Sequence, residues 1–240
     1  MIIKLKDKNS FINNFLRPIS SMSDNVVIKS VNNKLLCLSN NEQGLILCAT
    51  YDISLEDTIQ LNIPNVKRLE KVISFINTTE IDLQYRSNAL SYKDKNIRFK
   101  YHFLDDNIIQ TPKLSLKKID SIEHDIEFTI NNSKITELSK GAAFVSESEK
   151  LYFNINNDGV YGEITDKTNS SIDSYSILLN EQDIGKEISF PVHFDIVRLL
   201  SSSNSTNEIN VKINTTQGLC IFTVENDDSV LKYIVPGLQS

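Results

Sequence analysis

An α+β fold built from two tandem units is predicted by three features of this sequence. A stretch near the middle, EKLYFNINNDG (residues 149–159), echoes NKLLCLSNNEQG (33–44). Lys34 matches Lys150, and Asn40-Asn41-Glu42 matches Asn156-Asn157-Asp158, each 116 residues apart. Apolar residues fall at helical spacing in four places and at strand spacing in many more. The third feature is size and composition: 240 residues, 40% hydrophobic and 23% charged, can bury one large core or two small ones.

Taken in order, each half opens with a short strand, IIKL at 2–5 and IEFTI at 126–130. A helix follows. Phe11, Ile12, Phe15, Leu16, Ile19 and Met22 share one face in the first half, and Ile135, Leu138 and Ala142 do so in the second. Pro18 lacks an N–H and is expected to kink or shorten the first helix. Strands come next: VVIKSVNNKLLCLS and GLILCATYDI, then AAFVSESEKLYFNI and GVYGEITDKT. The second helices are 65–77, with Val66, Leu69, Val72, Ile73 and Ile76 on one face, and 192–203, with Phe194, Val197 and Leu200. The alternating strands NTTEIDLQY and STNEINVKI share Glu-Ile at 80–81 and 208–209. Each half closes on two strands, with Asp105-Asp106 and Asp227-Asp228 read as hairpin turns. The expected division is 1–110, a connector at 111–125, and 126–240. The connector carries Leu114, Leu116, Ile119 and Ile122 among its lysines, so it is expected to lie back on the protein rather than merely span.

Composition narrows the function. A net charge of −6 argues against a surface that grips phosphates everywhere and confines any DNA contact to a local patch. No apolar run reaches membrane-spanning length, and MIIKLKDKNS lacks the apolar segment of a signal peptide. The three cysteines, Cys37, Cys48 and Cys220, have no ligand spacing and suit buried thiols in a reducing cytoplasm. His102, His124 and His193 are scattered, the seven glycines form no phosphate loop, and no nucleophile or metal motif occurs. A non-catalytic protein without cofactor or metal is expected.

The doubled strand–helix–strands–helix–strands plan, the connector and the terminal VLKYIVPGLQS resemble a DNA polymerase sliding clamp of the two-domain type, as in the proliferating cell nuclear antigen and the clamps of T4-like bacteriophages. The likeness covers essentially the whole chain. It implies two clamp-type domains, each with two helices on antiparallel sheets, three copies of which form a pseudo-sixfold ring around duplex DNA. The implied partners are double-stranded DNA, a DNA polymerase and a clamp-loader ATPase, without a membrane. The setting is viral DNA replication in the host bacterial cytoplasm, a phage source that the many Asn, Ile, Lys and Ser residues suit.

On that plan the DNA-facing residues are the helix cations Arg17, Lys67, Arg68, Lys71, Lys134, Lys140 and Arg198. Charge on a helix is also what any solvated face carries. The implied partner-peptide pocket comprises Leu45, Leu47, Ile234, Val235 and Pro236, of which the two leucines also read as core. The implied subunit interface joins Asn107, Ile108, Ile109 and Gln110 to Tyr175, Ile177 and Leu178, though either stretch also reads as an ordinary buried strand. Two other readings stay open: a β-rich virion structural protein of tail or baseplate, and a monomeric processivity factor, against which the acidic total counts.

Overall fold

The computed structural model describes residues 1–55, 57–145, 149–167, 173–202 and 208–238. Parts of the expected elements, at residues 146–148, 168, 203 and 205–207, lie outside the described residues, as do the last two of the terminal segment. The chain forms two units. The first comprises Met1–Asn41, Ile46–Leu114 and Asn226–Leu231; the second comprises Glu42–Leu45, Ser115–Glu225 and Lys232–Ser240.

In the first unit the order is β1 (Ile2–Leu5), α1 (Lys8–Phe11), a π-helical turn (Ile12–Leu16), α2 (Arg17–Met22), β2 (Val26–Val31), β3 (Lys34–Asn40), β4 (Ile46–Asp52), β5 (Gln60–Ile63), α3 (Val66–Ser74), β6 (Ile81–Arg86), β7 (Ala89–Lys93) and β8 (Arg98–His102). Strands lie in the orders β5-β2-β3-β4 and β1-β6-β7-β8, with antiparallel pairing. The β2–β3 and β6–β7 hairpins turn on Asn32-Asn33 and Ser87-Asn88, all four at positive φ. Asparagine tolerates that conformation and supplies the twist a two-residue hairpin needs.

The second unit holds α4 (Leu116–Asp120), β9 (Ile126–Asn131), α5 (Asn132–Gly141), β10 (Lys150–Asn156), β11 (Gly159–Ile164), β12 (Tyr175–Asn180), β13 (Ile188–His193), α6 (Asp195–Ser202), β14 (Glu208–Asn214), β15 (Leu219–Glu225) and β16 (Ser229–Pro236), the last from Lys232 onward. Its strand orders are β12-β11-β10-β13 and β16-β15-β14-β9. The plan of the first unit therefore recurs strand for strand. Its register differs from that of the opening sequence match. β1 and β9 start at Ile2 and Ile126, and β2 and β10 at Val26 and Lys150, both 124 residues apart. The match of Lys34 with Lys150 thus aligns β3 with β10, one strand out of step. Both segments are an apolar strand followed by an Asn-rich polar run, and similar local demands drew similar residues at non-equivalent places.

The first helix shows what Pro18 does. The segment Ile12–Leu16 widens into a π turn immediately before α2, where Pro18 sits in the first turn. A proline ring collides with the carbonyl four residues earlier, and a wider turn relieves that collision. The apolar face survives: Phe15, Leu16 and Ile19 are fully buried, and Phe11, Phe15 and Tyr51 form a ring cluster with centroids 5.1–5.7 Å apart.

Lys8 is a buried cation, 7% exposed, whose Nζ donates to the Ile76 carbonyl just past α3, while its N–H donates to Thr79 O (2.8 Å). Its side chain ties the start of α1 to the end of α3. Lys8→Met keeps the stem and deletes the donor, so urea unfolding should show a loss of about 2 kcal/mol from the orphaned carbonyl.

Two expectations are corrected. Helix 192–203 begins at Asp195, because residues 188–193 pair with β10 as β13 despite Pro191. Pro191 is tolerated because β13 closes its sheet's strand order and needs few donors on its outer side. Residues 107–110 form no strand. Asp106 Oδ1 instead accepts from Asn62 Nδ2 (2.8 Å) and Gln60 Nε2 (3.1 Å) on β5, Asn107 has φ 66°, and Ile108 is exposed. Ile108 and Ile109 are adjacent and fall on opposite sides of an extended chain, so neither side offers a continuous apolar face to hold a second closing strand.

From Ser115 onward the connector stretch belongs to the second unit and is tied to it. Ile119 on α4 is buried, and Asp120 Oδ1 accepts from Lys232 Nζ (2.6 Å). Asp125 closes it: its carboxylate accepts from Lys186 Nζ (2.8 Å), Thr215 Oγ1 (2.6 Å) and Thr215 N–H (2.9 Å). The Lys186 hydrogen bond, followed by those from Thr215, holds this carboxyl far below the usual carboxylate range. A folded-state pKa depressed below the unfolded value near 4 stabilises the fold above that pH, and the contribution is lost as pH falls through the folded value. Asp125→Asn should cost about 1 kcal/mol at neutral pH, allowing for solvent screening of a partly exposed group, and thermal melts should show the gap narrowing below about pH 4.

Candidate nucleic-acid interface

In the first unit, α2 and α3 lie side by side and are locked by charge. Arg17 Nε donates to Glu70 Oε1 (3.1 Å), and Arg17 Nη2 lies 3.1 Å from the same oxygen. Asn65 caps α3, its Oδ1 accepting the Arg68 N–H (2.7 Å). The Tyr101 hydroxyl of β8 fixes that cap: it donates to Asn65 O (2.6 Å) and accepts from Asn65 N–H (3.1 Å). Burial is the main reason its phenol is shifted upward, so it stays a neutral donor. Val66, Leu69 and Ile73 are buried while Lys67, Arg68 and Lys71 are exposed, which is the amphipathic division expected from their spacing.

In the second unit, α5 is capped by Asn131, which accepts the Ser133 N–H (2.9 Å), and α6 begins where the Asp195 N–H donates to His193 Nδ1 (3.2 Å). Gly141 ends α5 under the ring of Tyr175; a Cβ there would lie 2.1 Å from that ring. Glycine is what lets helix and strand approach so closely.

The seven expected DNA-facing cations fall into two groups. Arg17 pairs with Glu70, Lys67 with Asp24 (3.2 Å), Lys134 with Glu137 (3.1 Å) and Arg198 with Asp195 (2.8 Å). Arg68, Lys71 and Lys140 have no carboxylate partner among the described residues, although the Arg68 guanidinium sits 6.0 Å from the Tyr101 ring centroid. On α2 and α3 the four cations Arg17, Lys67, Arg68 and Lys71 stand against Glu70, with Asp24 just past α2 pairing Lys67, and on α5 and α6 the three cations Lys134, Lys140 and Arg198 stand against Glu137 and Asp195, on a chain of net charge −6. Long cationic side chains of this kind are suited to a few exchangeable phosphate contacts.

The other expected residues separate. Leu47 is 0% and Leu45 2% exposed, Val235 1% and Ile234 5%; these are core, and Pro236 alone of the five is half exposed. Tyr175, Ile177 and Leu178 lie on β12, which closes its sheet's strand order. In the first unit residues 107–110 form no strand, and the strand order β1-β6-β7-β8 ends on β8. The alternation of Arg98, Lys100 and His102 is the sequence signal for an exposed strand face there. Two exposed aromatics, Phe75 after α3 and Phe144 after α5, fall off the apolar stripes and carry no such signal.

Among the described residues, no three His, Cys, Asp or Glu side chains stand close enough to hold a metal ion. A cleft of about 770 Å³ mixes Lys4, Lys6 and Lys34 with Asp52, Asp82 and Asp228 and contains no histidine or cysteine. Burial pushes the Cys37 and Cys220 thiols up, as suits packing groups. Among the described residues, no helix is long and apolar enough to cross a membrane.

No family profile and no curated protein matches the chain in sequence. Solved structures match its fold from end to end. The A. fulgidus PCNA, solved with the C-terminal region of FEN-1, has a TM-score of 0.78 at 11% identity, over 100% of this chain and 98% of that one. The proliferating cellular nuclear antigen of Entamoeba histolytica has 0.78 at 12%, over 99% and 98%. The PCNA2–PCNA3 complex of Sulfolobus tokodaii has 0.73 at 8%, over 99% of each chain. The fold is that of the PCNA clamps.

Proposed function

We propose that this protein is a sliding clamp, a non-catalytic ring that encircles duplex DNA and tethers a replicative DNA polymerase for processive synthesis. The observation that supports it most is that both units of a PCNA-type fold carry cationic helix faces on an acidic chain. Three copies, six units in all, make the ring. A clamp-loader ATPase opens it, and the setting is phage DNA replication in a bacterial cytoplasm. Arg68, Lys71 and Lys140 make the exchangeable phosphate contacts; Arg17, Lys67, Lys134 and Arg198, already paired, contribute less. The chain is held by topology, so weak contacts are an advantage: they leave little barrier to translation. Pro236 is the candidate contact for a partner's apolar anchor, following the buried Ile234 and Val235 on β16. That role fits a neighbour whose structure holds a bound FEN-1 segment.

The test is mass and topology together. Light scattering should give three times 27.2 kDa, about 82 kDa. Once loaded, the protein should stay on circular duplex and run off linear duplex. A persistent monomer, or equal retention on both DNAs, would sink the reading.

A further inference from the structure

The sheet β1-β6-β7-β8 has two unlike faces. Leu83, Leu90, Tyr101 and Phe103 are buried on the side of α3, where the Tyr101 hydroxyl meets the Asn65 cap. Alternation along the strands turns Lys4, Arg86, Lys93, Arg98 and Lys100 to the other side, and all five are exposed. Asp82 is the only carboxylate in these four strands, and it stands opposite Lys4 in the ladder. Lys93 stands directly opposite Arg98, and like charges so placed destabilise a hairpin until a counter-charge arrives. None of the five cations has an ion-pair partner among the described residues. Asp94, in the turn beside them, is engaged elsewhere: it accepts the N–H groups of Asn96 (2.7 Å) and Ile97 (2.6 Å) and the Tyr92 hydroxyl (3.0 Å).

The fold does not demand this charge. The equivalent strands of the second unit, β9, β14, β15 and β16, contain two lysines, and both are paired: Lys212 with Glu127 (3.5 Å) and Lys232 with Asp120 (2.6 Å). The same architecture thus carries neutralised lysines in one unit and a row of unneutralised cations in the other, on a chain of net charge −6. A trough of about 410 Å³ is lined by five residues of the cationic face, Gln84, Ser91, Lys93, Arg98 and Lys100, together with Tyr92 and Phe99. Ser91 is the small residue in the cross-strand row Gln84–Ser91–Lys100 and leaves the space. Arg98, Lys100 and His102 recur about 7 Å apart along β8, a spacing that the phosphates of one extended strand can follow. The exposed side chains turned to this side are polar or charged except Ile2 on the far strand. An acidic peptide finds little apolar anchor there, whereas a phosphate backbone needs none. The aromatic residues of β6, β7 and β8 alternate to the opposite side, so bases are neither stacked nor read.

We infer that this face of the first unit, centred on Ser91, holds a single nucleic-acid strand by its phosphates, without regard to sequence. Lys93, Arg98 and Lys100 take the phosphates over the trough, and Arg86 extends the track. A bound phosphate also supplies the counter-charge that the Lys93–Arg98 pair lacks. The inference goes beyond the clamp reading, because it gives the protein a second nucleic-acid surface, on the side of the sheet away from α3 and distinct from Arg68 and Lys71. Cations of β7 and β8 alone flank the trough, so it takes one phosphate row rather than the two of a duplex.

Fluorescence anisotropy with a labelled oligothymidylate of about 20 nucleotides tests this. It should be read on R68E/K71E/K140E, in which helix cations are reversed, and on the same protein also carrying R86E/S91E/K93E. The added substitutions lie on β6 and β7 and leave the β8 edge alone. Lys93→Glu sets a carboxylate opposite Arg98, so the fold should be kept; thermal melts check this, and S91E alone carries the test if the triple change unfolds. Reversal of the face should weaken binding about tenfold or more at roughly 0.05 M salt and flatten the salt dependence by about 0.7 logarithmic unit for each phosphate no longer neutralised. A helix-reversed protein that fails to bind the oligonucleotide, or binding that R86E/S91E/K93E leaves unchanged, would overturn the inference. So would polyglutamate or a short duplex that binds this face more tightly than the single strand does, making the occupant an acidic peptide or a duplex. Each of these outcomes leaves the clamp reading standing, since that is tested by mass and by retention on circular duplex.

Discussion

Gly159→Ala is expected to destabilise the protein by about 3 kcal/mol in urea unfolding, the largest loss among single methyl additions at turn positions. Gly159 opens β11 at φ 131°, a conformation that side chains avoid, and an added Cβ would lie 2.4 Å from Asn180 O and 3.3 Å from Glu181 Cα. Both obstacles are backbone, so no rotamer change relieves them. The β11–β12 ladder shifts register at Val160/Tyr161, directly beside this contact, and further displacement there would break the Val160–Asn180 pair. Gly44→Ala is the control. Its φ is 78° and nothing lies within 4 Å of an added Cβ, so only backbone strain remains, about 1 kcal/mol. Equal stability of the two variants would mean that the end of β12 is not held against the β10–β11 turn.

The second large effect is on DNA. R68E/K71E/K140E should lower retention on circular duplex by about a hundredfold at low salt. It should also flatten the salt dependence by about one logarithmic unit for each phosphate no longer neutralised. These cations have no carboxylate partner among the described residues, so reversal removes attraction without freeing a buried acid. Arg17→Glu is the contrasting case. It sets a second carboxylate against Glu70 between α2 and α3, so its main effect should be on stability, read by thermal melting. If the triple variant keeps wild-type retention, the helices do not face DNA, and the virion structural reading gains ground.

Much of the fold was legible because burial follows periodicity. Phe15, Leu16 and Ile19 at helical spacing, and Ile126, Phe128 and Ile130 at strand spacing, are all core. Hydrophobic pattern needs only the local period, and the doubled plan repeats it twice. The candidate helix cations were legible for the same reason: what is not on the apolar stripe faces outward.

Edges and partners were not legible, because they depend on which strand has no neighbour. IRFKYHFLDDNIIQ reads as two closing strands, but Asp106 bonds to Asn62 and Gln60, forty-odd residues back in the chain, and the second strand never forms. Nor could spacing show that Arg17 is held by Glu70 while Lys71 meets no described carboxylate, since that depends on how two helices meet. Alternation of apolar and polar residues acts over one or two turns or strands, and two α+β units, their helices and their cores follow from it. Which strands end a sheet's order, which cations already pair with carboxylates, and the repeat of 124 residues rather than 116 depend instead on how distant segments meet. Those are properties of distance in space, and no local period encodes them.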